Sequence, residues 1–194
     1  MSEPIPLATV QTTVFEFLRH RDDAVVFGAH AVNAYVEQVR MTQDVDILSD
    51  RAEEFAKELR DHLHQTLNIA VRQGTVAAGM GIRLFQIQNP KNRHLVDIRH
   101  VDELPASQRI HDVLLLLPSE LIAQKVLSMV NRRNTPKGMT DVADLRRLLL
   151  TFPELKAEQG EVADLLRKTD AADNLVTAWQ DLVAEEFIED TDDY

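Results

Sequence analysis

Short apolar runs and alternating apolar and polar positions dominate the first 117 residues of the chain. Alternation of this kind predicts β-strands, whereas apolar residues at spacings of three and four predict helices between them. Asp50 is in a position to cap one of those helices. The predicted elements are a helix near 7–20, a strand at 24–27, a helix at 31–37, a strand after Asp44, a helix after Asp50, and a hairpin of strands at 79–88 and 94–99.

The apolar period changes after Pro118. From there to residue 188 the pattern is helical almost throughout, with predicted breaks near 134–138 and 152–153. We therefore predict a mixed α/β core over 1–117, a helical part over 118–188 and an acidic tail over 189–194. The acids near the C-terminus are expected to form a solvated end or, alternatively, to dock a basic partner.

Composition narrows the classes of function. A chain of 194 residues can hold one sizeable domain, or a small catalytic domain with a helical appendage. It contains no cysteine, which excludes disulfides, thiol catalysis and cysteine-based zinc sites. No apolar run approaches the about 18 residues that span a bilayer, and no signal pattern is present, so we expect a cytoplasmic protein without a membrane partner. The net charge of −11 argues against a broad basic surface for nucleic acid.

The segment from Gly28 to Asp46 carries the strongest chemical signal. An apolar strand ends at Gly28, a helical stretch follows, and Asp44 and Asp46 then alternate with apolar residues. Positions i and i+2 of a strand share one face, so the two carboxylates project together. Because adjacent carboxylates repel each other, a hard divalent cation is expected between them. A glycine at a strand-to-helix turn lets a phosphate approach the backbone, so the segment predicts a site for metal and nucleotide phosphates.

This pattern resembles the nucleotidyltransferase superfamily that includes DNA polymerase β, whose signature is a Gly-Gly or Gly-Ser turn, a helix and an Asp-x-Asp strand. The run Arg40-x-Thr42-x-Asp44-x-Asp46 is most similar to minimal prokaryotic enzymes related to AbiEii-type toxins. The resemblance implies an α/β (α+β) fold: a mixed β-sheet core with flanking helices, then a C-terminal helical bundle that completes the active-site cleft. Ala29 departs from the family pattern, because it offers a phosphate its backbone N–H but no hydroxyl.

Several further residues of the core are candidate ligands. Asp97 stands between apolar neighbours on a predicted strand, where an unpaired carboxylate is costly. By the resemblance it is the third carboxylate, which binds metal or deprotonates the attacking hydroxyl; the alternative is a surface acid at a strand end. His30 and Arg40 are candidates for the phosphates, or else make an ordinary hydrogen bond and a counter-ion to Asp44. Thr42 is expected to organise the loop.

The helical part contains a second set of candidates. Lys125 falls on an apolar helical stripe, so its ammonium is expected either to reach solvent or to point into a cleft. The resemblance implies that Lys125 contacts nucleotide phosphates, that Asp141 lies at the site, and that Arg133 or Lys137 binds phosphate too. Alternatively, Asp141 and Asp144 start a helix, since they have N-cap and N3 spacing. On the catalytic reading, Lys125→Met should weaken nucleotide binding and leave stability nearly unchanged.

These expectations lead to a metal-dependent nucleotidyltransferase. Mg²⁺ (or Mn²⁺) on Asp44, Asp46 and Asp97 would stabilise charge while a nucleoside monophosphate passes from an NTP such as ATP to a hydroxyl of protein or tRNA. The resemblance adds a toxin–antitoxin or phage-defence setting with a toxin or antitoxin partner. The alternative is a catalytically silent module with the same fold that binds or regulates, and Ala29 alone favours it. A purely structural helical protein would leave the strand acids unexplained.

Overall fold

The structure is a computed structural model that describes residues 5–76, 81–169 and 172–188. It divides into two compact units: the first comprises Met1–Ala31 and Arg40–Leu116, and the second Val32–Val39 and Leu117–Tyr194. Among the described residues, no helix combines the length and apolar character needed to cross a bilayer. A cytoplasmic location stays a prediction.

The first unit is built on a mixed sheet whose order, in the described part of the chain, is β3-β4-β5-β2-β1-β7-β6. Pairing is parallel between β1 and β7 and between β2 and β5, and antiparallel between the other neighbours. The predicted mixed α/β fold is confirmed. The strands are β1 (Val25–Phe27), β2 (Val45–Ser49), β3 (Val71–Thr75), β4 (Gly81–Gln86), β5 (Arg93–His100), β6 (Ser107–Ile110) and β7 (Val113–Leu116).

Helices α1 (Leu7–Leu18) and α3 (Ala52–Leu67) contact the sheet. Helix α2 (Gly28–Tyr35) follows β1, and its residues 28–31 belong to the first unit and 32–35 to the second. The apolar face of α3 packs on α1 and on the sheet, and its Phe55, Leu59 and Leu63 are fully buried. Burial of each such side chain contributes about 1.5–3 kcal/mol of transfer free energy. The predicted cap at Asp50 is wrong: the N-cap position of α3 is Arg51, and it makes no side-chain cap bond.

The predicted hairpin is confirmed, because β4 and β5 pair antiparallel. Its first strand was predicted to begin at residue 79, but residues 77–80 lie outside the described part of the chain. The sequence pattern did not predict β3, β6 or β7. Strands β3 and β6 lie at the two edges of the sheet and contain no buried residue, so they lack the alternation that one buried face produces.

The second unit is helical and is built from α4 (Pro118–Asn131), α5 (Pro136–Thr151), a 3₁₀ turn (Pro153–Leu155), α6 (Glu161–Arg167) and α7 (Ala172–Ala184). Helices α4 and α5 each begin with proline, whose missing N–H costs nothing at that position. Thr135 caps α5 by accepting a hydrogen bond from the Gly138 amide at 3.0 Å. Helix α4 packs on α5, α6 and α7, around a fully buried Trp179. The predicted acidic tail, 189–194, lies outside the described residues.

Candidate active site

The fold places two of the predicted carboxylates in register on neighbouring strands and the third close to one of them. Asp46 of β2 is in parallel register with Asp97 of β5, so their side chains project to the same face of the sheet. Asp44 precedes Asp46 by two residues, and one of its carboxylate oxygens lies within 4.8 Å of a carboxylate oxygen of Asp97. The residues that alternate with them, Val45 and Ile47, are completely buried on the other face. On β2, Val45 and Ile47 therefore belong to the core, and Asp46 lies on the opposite face.

His94 joins this cluster, although the sequence pattern did not single it out. Its Nδ1 lies 3.2 Å from an Asp44 carboxylate oxygen, and its Nε2 lies 3.1 Å from an Asp97 oxygen. His94 and Asp97 are three residues apart, so an unbroken strand would place them on opposite faces. The pairing of β4 with β5 shifts at Leu84 and Phe85, and Leu95 is the extra residue on β5. This irregularity turns His94 to the acidic face, as bulges commonly do near active sites.

Arg83 is a second residue that the sequence analysis missed. It lies opposite Asp97 in the β4–β5 register, and its guanidinium donates to both carboxylate oxygens at 2.6 and 2.9 Å. Burial raises the pKa of Asp97, but the hydrogen bonds and charges of His94 and Arg83 outweigh it and hold that pKa well below its usual range. Asp97 is therefore an ion-paired carboxylate on the acidic face.

Gly28 lies directly against Asp46. Its φ of +68° is in the left-handed region, and a Cβ built on it would stand 2.1 Å from an Asp46 carboxylate oxygen. Only glycine fits this position without displacing the aspartate. Gly28 is also the first residue of α2, and the neighbouring Ala29 is buried. The strand-to-helix turn predicted from the sequence therefore touches the acidic cluster.

Gly28→Ala is expected to push the Asp46 carboxylate out of place and to weaken binding of a divalent cation. It should also lower the free energy of unfolding by about 1–2 kcal/mol, the cost of a left-handed residue with a Cβ. The matched control is Gly74→Ala on β3, where a Cβ meets only an ordinary contact at 3.5 Å. Urea unfolding measures the stability, and Mn²⁺ titration calorimetry measures the cation affinity. A Gly28→Ala protein with the same stability and the same Mn²⁺ affinity as the control would contradict the placement of Gly28 at the metal site.

His30 belongs to the same unit, at the start of α2. Its ring packs edge-on against Phe15 with 5.1 Å between ring centroids, and its buried Nε2 has no hydrogen-bond partner among the described residues. Burial lowers the pKa of His30 to about 4, with the Asp44 charge opposing and the Arg40 charge assisting. At neutral pH the imidazole is therefore uncharged, and it can offer a phosphate a hydrogen bond but no positive charge.

The loop before Asp44 is held by hydrogen bonds. The Thr42 hydroxyl lies 3.4 Å from the Asp44 carbonyl, and the Thr42 carbonyl accepts a bond of 2.9 Å from the side-chain amide of Gln11 on α1. Arg40 donates to the Met41 carbonyl at 3.2 Å. The bonds of Gln11 and Thr42 hold the backbone that carries Asp44.

Lys125 of α4 is buried in an ion-pair network within the helical unit. Its ammonium donates to Asp141 at 3.0 Å and to Asp144 at 2.7 Å. Arg132 donates to the second oxygen of Asp141 at 3.1 Å, and Arg147 to the second oxygen of Asp144 at 3.2 Å. Only 7% of the surface of Lys125 is exposed, so it neither reaches solvent nor lacks a counter-ion. Three cations here surround two carboxylates.

The helix-start interpretation of the two aspartates is wrong. Helix α5 begins at Pro136 and is capped by Thr135, so Asp141 and Asp144 lie inside it, three residues apart and facing α4. Both are buried, Asp144 completely. The predicted phosphate ligands Arg133 and Lys137 are exposed. Their contact with a nucleotide stays a prediction.

Residues 14–193 match the family model described as nucleotidyl transferase AbiEii toxin, type IV toxin–antitoxin system. No relative among curated protein sequences matches the chain. Several solved structures resemble the chain in fold. The Megavirus polyadenylate synthase has a TM-score of 0.61 at 16% identity, over 79% of this chain and 33% of that one, so the chain spans about a third of that enzyme.

Two smaller structures are similar over most of both chains. JHP933 from Helicobacter pylori has a TM-score of 0.61 at 14% identity, covering 89% of this chain and 77% of its own. ANT(2")-Ia, solved in complex with adenylyl-2"-tobramycin, has a TM-score of 0.51 at 12% identity, covering 92% and 97%. At these identities the structural likeness shows the fold, whereas the family match extends over nearly the whole chain. The chain belongs to the AbiEii family of nucleotidyl transferase toxins, the family that its Gly28 turn and its Arg40-x-Thr42-x-Asp44-x-Asp46 run resemble.

Proposed function

We propose that the protein is a metal-dependent nucleotidyltransferase that moves a nucleoside monophosphate from an NTP to a hydroxyl on protein or RNA. The observation that carries the proposal is the parallel register of Asp46 with Asp97, with Asp44 close to Asp97 and the Gly28 turn against Asp46. Neighbouring carboxylates call for a cation, and a glycine turn at the start of a helix is the kind of position at which phosphates bind backbone N–H groups. The family to which the chain belongs supports the same reaction.

The acidic cluster fits a divalent metal ion in its donor set. Asp44 and Asp46 would hold the ion, and Asp97, in register with Asp46 and close to Asp44, would complete the acidic face. Because Arg83 and His94 depress its pKa, Asp97 keeps its charge at neutral pH, as a ligand or electrostatic partner must. When bound, Mg²⁺ or Mn²⁺ supplies charge stabilisation for the transferring phosphoryl group.

The chain's own residues would position the substrates. The Gly28 and Ala29 backbone, at the first turn of α2, would present N–H groups to the triphosphate. His30 would add a neutral hydrogen-bond donor, and Arg40 a positive charge. The acceptor hydroxyl would give up its proton to solvent while its oxygen attacks the α-phosphorus in line; the bond from the α-phosphorus to the bridging oxygen would break, and pyrophosphate would leave with that oxygen.

The direct test follows the fate of the α-phosphate. The protein is incubated with Mg²⁺ or Mn²⁺, a bacterial lysate and each NTP labelled at the α-phosphate, and in parallel with the same NTPs labelled at the γ-phosphate. We expect transfer of the α-label to a macromolecule and none of the γ-label. Digestion with ribonuclease or protease then identifies the acceptor as RNA, such as a tRNA end, or as protein.

Three outcomes would overturn the proposal. Transfer of the γ-label would indicate a kinase. Transfer of the α-label in the presence of a metal chelator would show that the reaction needs no metal ion. Binding of NTP without any transfer would favour the catalytically silent module with the same fold.

A toxin role is proposed on the family description, and expression in cells with and without a neighbouring antitoxin gene would test it by growth.

A further inference from the structure

We infer that His94 is a nitrogen ligand of the metal and that it makes the site prefer first-row transition-metal ions over Mg²⁺. This inference rests on the proposed function, because it concerns the same metal. It goes beyond that function in assigning a ligand and a class of ion. Its basis is the position of the imidazole between two carboxylates of the acidic face.

The spacing of the three groups suits a shared ion. His94 Nδ1 lies 3.2 Å from an Asp44 oxygen. Adjacent ligands of an octahedral ion with bonds of about 2.1 Å stand about 3 Å apart. One ligand atom from each of Asp44, His94 and Asp97 lies within 4.8 Å of the other two. Among the described residues, this is the group of histidine and carboxylate side chains that is close enough to share a metal ion. An ion can thus take Asp44 and His94 with little movement of either side chain.

The other ring nitrogen has the partner that metal-binding histidines usually have. His94 Nε2 lies 3.1 Å from Asp97, and Arg83 in turn holds both oxygens of that carboxylate. A carboxylate on the far nitrogen fixes the orientation of a ligating imidazole and makes the near nitrogen a better donor. Asp97 would therefore serve the metal through His94 as well as by its own charge.

An imidazole ligand changes which ion binds best. Mg²⁺ takes oxygen ligands and keeps several waters, whereas nitrogen ligands favour first-row transition ions such as Co²⁺. A site with Asp44 and Asp46 alone would have oxygen donors only. The turn of His94 onto the acidic face, produced by the irregular β4–β5 pairing, adds the nitrogen. The preference for transition-metal ions over Mg²⁺ should therefore depend on the His94 side chain.

The test is titration calorimetry of Co²⁺ and Mg²⁺ into the full chain and into His94→Gln, with unfolding temperature as a check on the fold. We expect His94→Gln to lower the Co²⁺ affinity by about tenfold or more, within the range measured for changes around metal sites, and to change the Mg²⁺ affinity much less. The control is His100→Gln on the same strand, whose side chain is 55% exposed and pairs with Asp102. It should leave both affinities unchanged.

A second measurement needs no variant of His94. Pulsed electron paramagnetic resonance of Mn²⁺ bound to the His100→Gln protein should show hyperfine coupling to an imidazole nitrogen. Absence of that coupling, or an equal loss of Co²⁺ and Mg²⁺ affinity in a folded His94→Gln protein, would overturn the inference. Transfer of the α-label would persist in that case, so the proposed function would survive. Transfer that needs no metal would instead defeat the proposed function.

Discussion

Asp46→Asn is expected to reduce nucleotidyl transfer by on the order of 10²–10³-fold while the protein stays folded, since one preorganised group that stabilises transition-state charge is worth that much. Asparagine has nearly the same shape as aspartate, so the packing against Gly28 is retained. What is lost is a negative charge on the acidic face. Transfer of the α-phosphate label measures the activity, and thermal unfolding measures the fold.

The control for Asp46→Asn is Asp102→Asn, whose side chain is fully exposed. Both variants remove one negative charge from the first unit, so a general electrostatic effect would appear in both. Only the variant at the acidic face should lose transfer and Mn²⁺ binding together. A folded Asp46→Asn protein that transfers label at the rate of the unmodified protein would be fatal to the mechanism.

Lys125→Met is expected to lower the free energy of unfolding by about 3–5 kcal/mol, the cost of breaking a buried ion pair by removing one partner. This expected loss replaces the earlier expectation, drawn from the apolar stripe, that the substitution leaves stability nearly unchanged. Methionine fills the volume of the lysine stem, but Asp141 and Asp144 then share a buried site without the cation between them. Arg132 and Arg147 each donate to the aspartate oxygen that Lys125 does not contact.

Two further variants decide whether the loss belongs to the ion pairs. The triple variant Lys125→Met, Asp141→Asn, Asp144→Asn removes the uncompensated charges and should regain much of the stability, since buried pairs often exchange for neutral groups at little cost. Lys137→Met, at an exposed position of α5, should change stability by less than about 0.5 kcal/mol. Urea unfolding measures all three. An unaltered Lys125→Met midpoint would show that the network contributes nothing to folding.

The same Lys125→Met protein tests the predicted contact with nucleotide phosphates. If the contact exists, NTP affinity should fall by about 1.5–3 kcal/mol, the value of a hydrogen bond to a charged group. Calorimetric titration is done below the unfolding temperature of the variant. If the variant and the unmodified protein bind NTP with equal affinity, Lys125 only stabilises the helical unit, and the chemistry is confined to the sheet.

Local pattern was sufficient for the elements that have one buried face. The alternation around Asp44 and Asp46 predicted β2, and the helical stripes predicted α1, α3, α4 and α5. The pairing of Asp46 with Asp97 could be predicted in part from the sequence, because both residues stand between apolar neighbours on strands of one sheet. Edge strands escaped prediction, since β3 and β6 contain no buried residue and leave no period of two in the sequence.

The acids, the glycine turn and the family were readable from residue order, because a strand of period two and a glycine at its end are properties of a few consecutive residues. The partners of those acids were not. Arg83 meets Asp97 only through the β4–β5 register, and His94 reaches the same face only because that register shifts. Lys125 and its aspartates meet across two packed helices, 16 and 19 residues apart in the chain. Charge pairing between elements depends on strand register and helix packing, which sum many weak contacts along the chain and leave no local signature in the sequence.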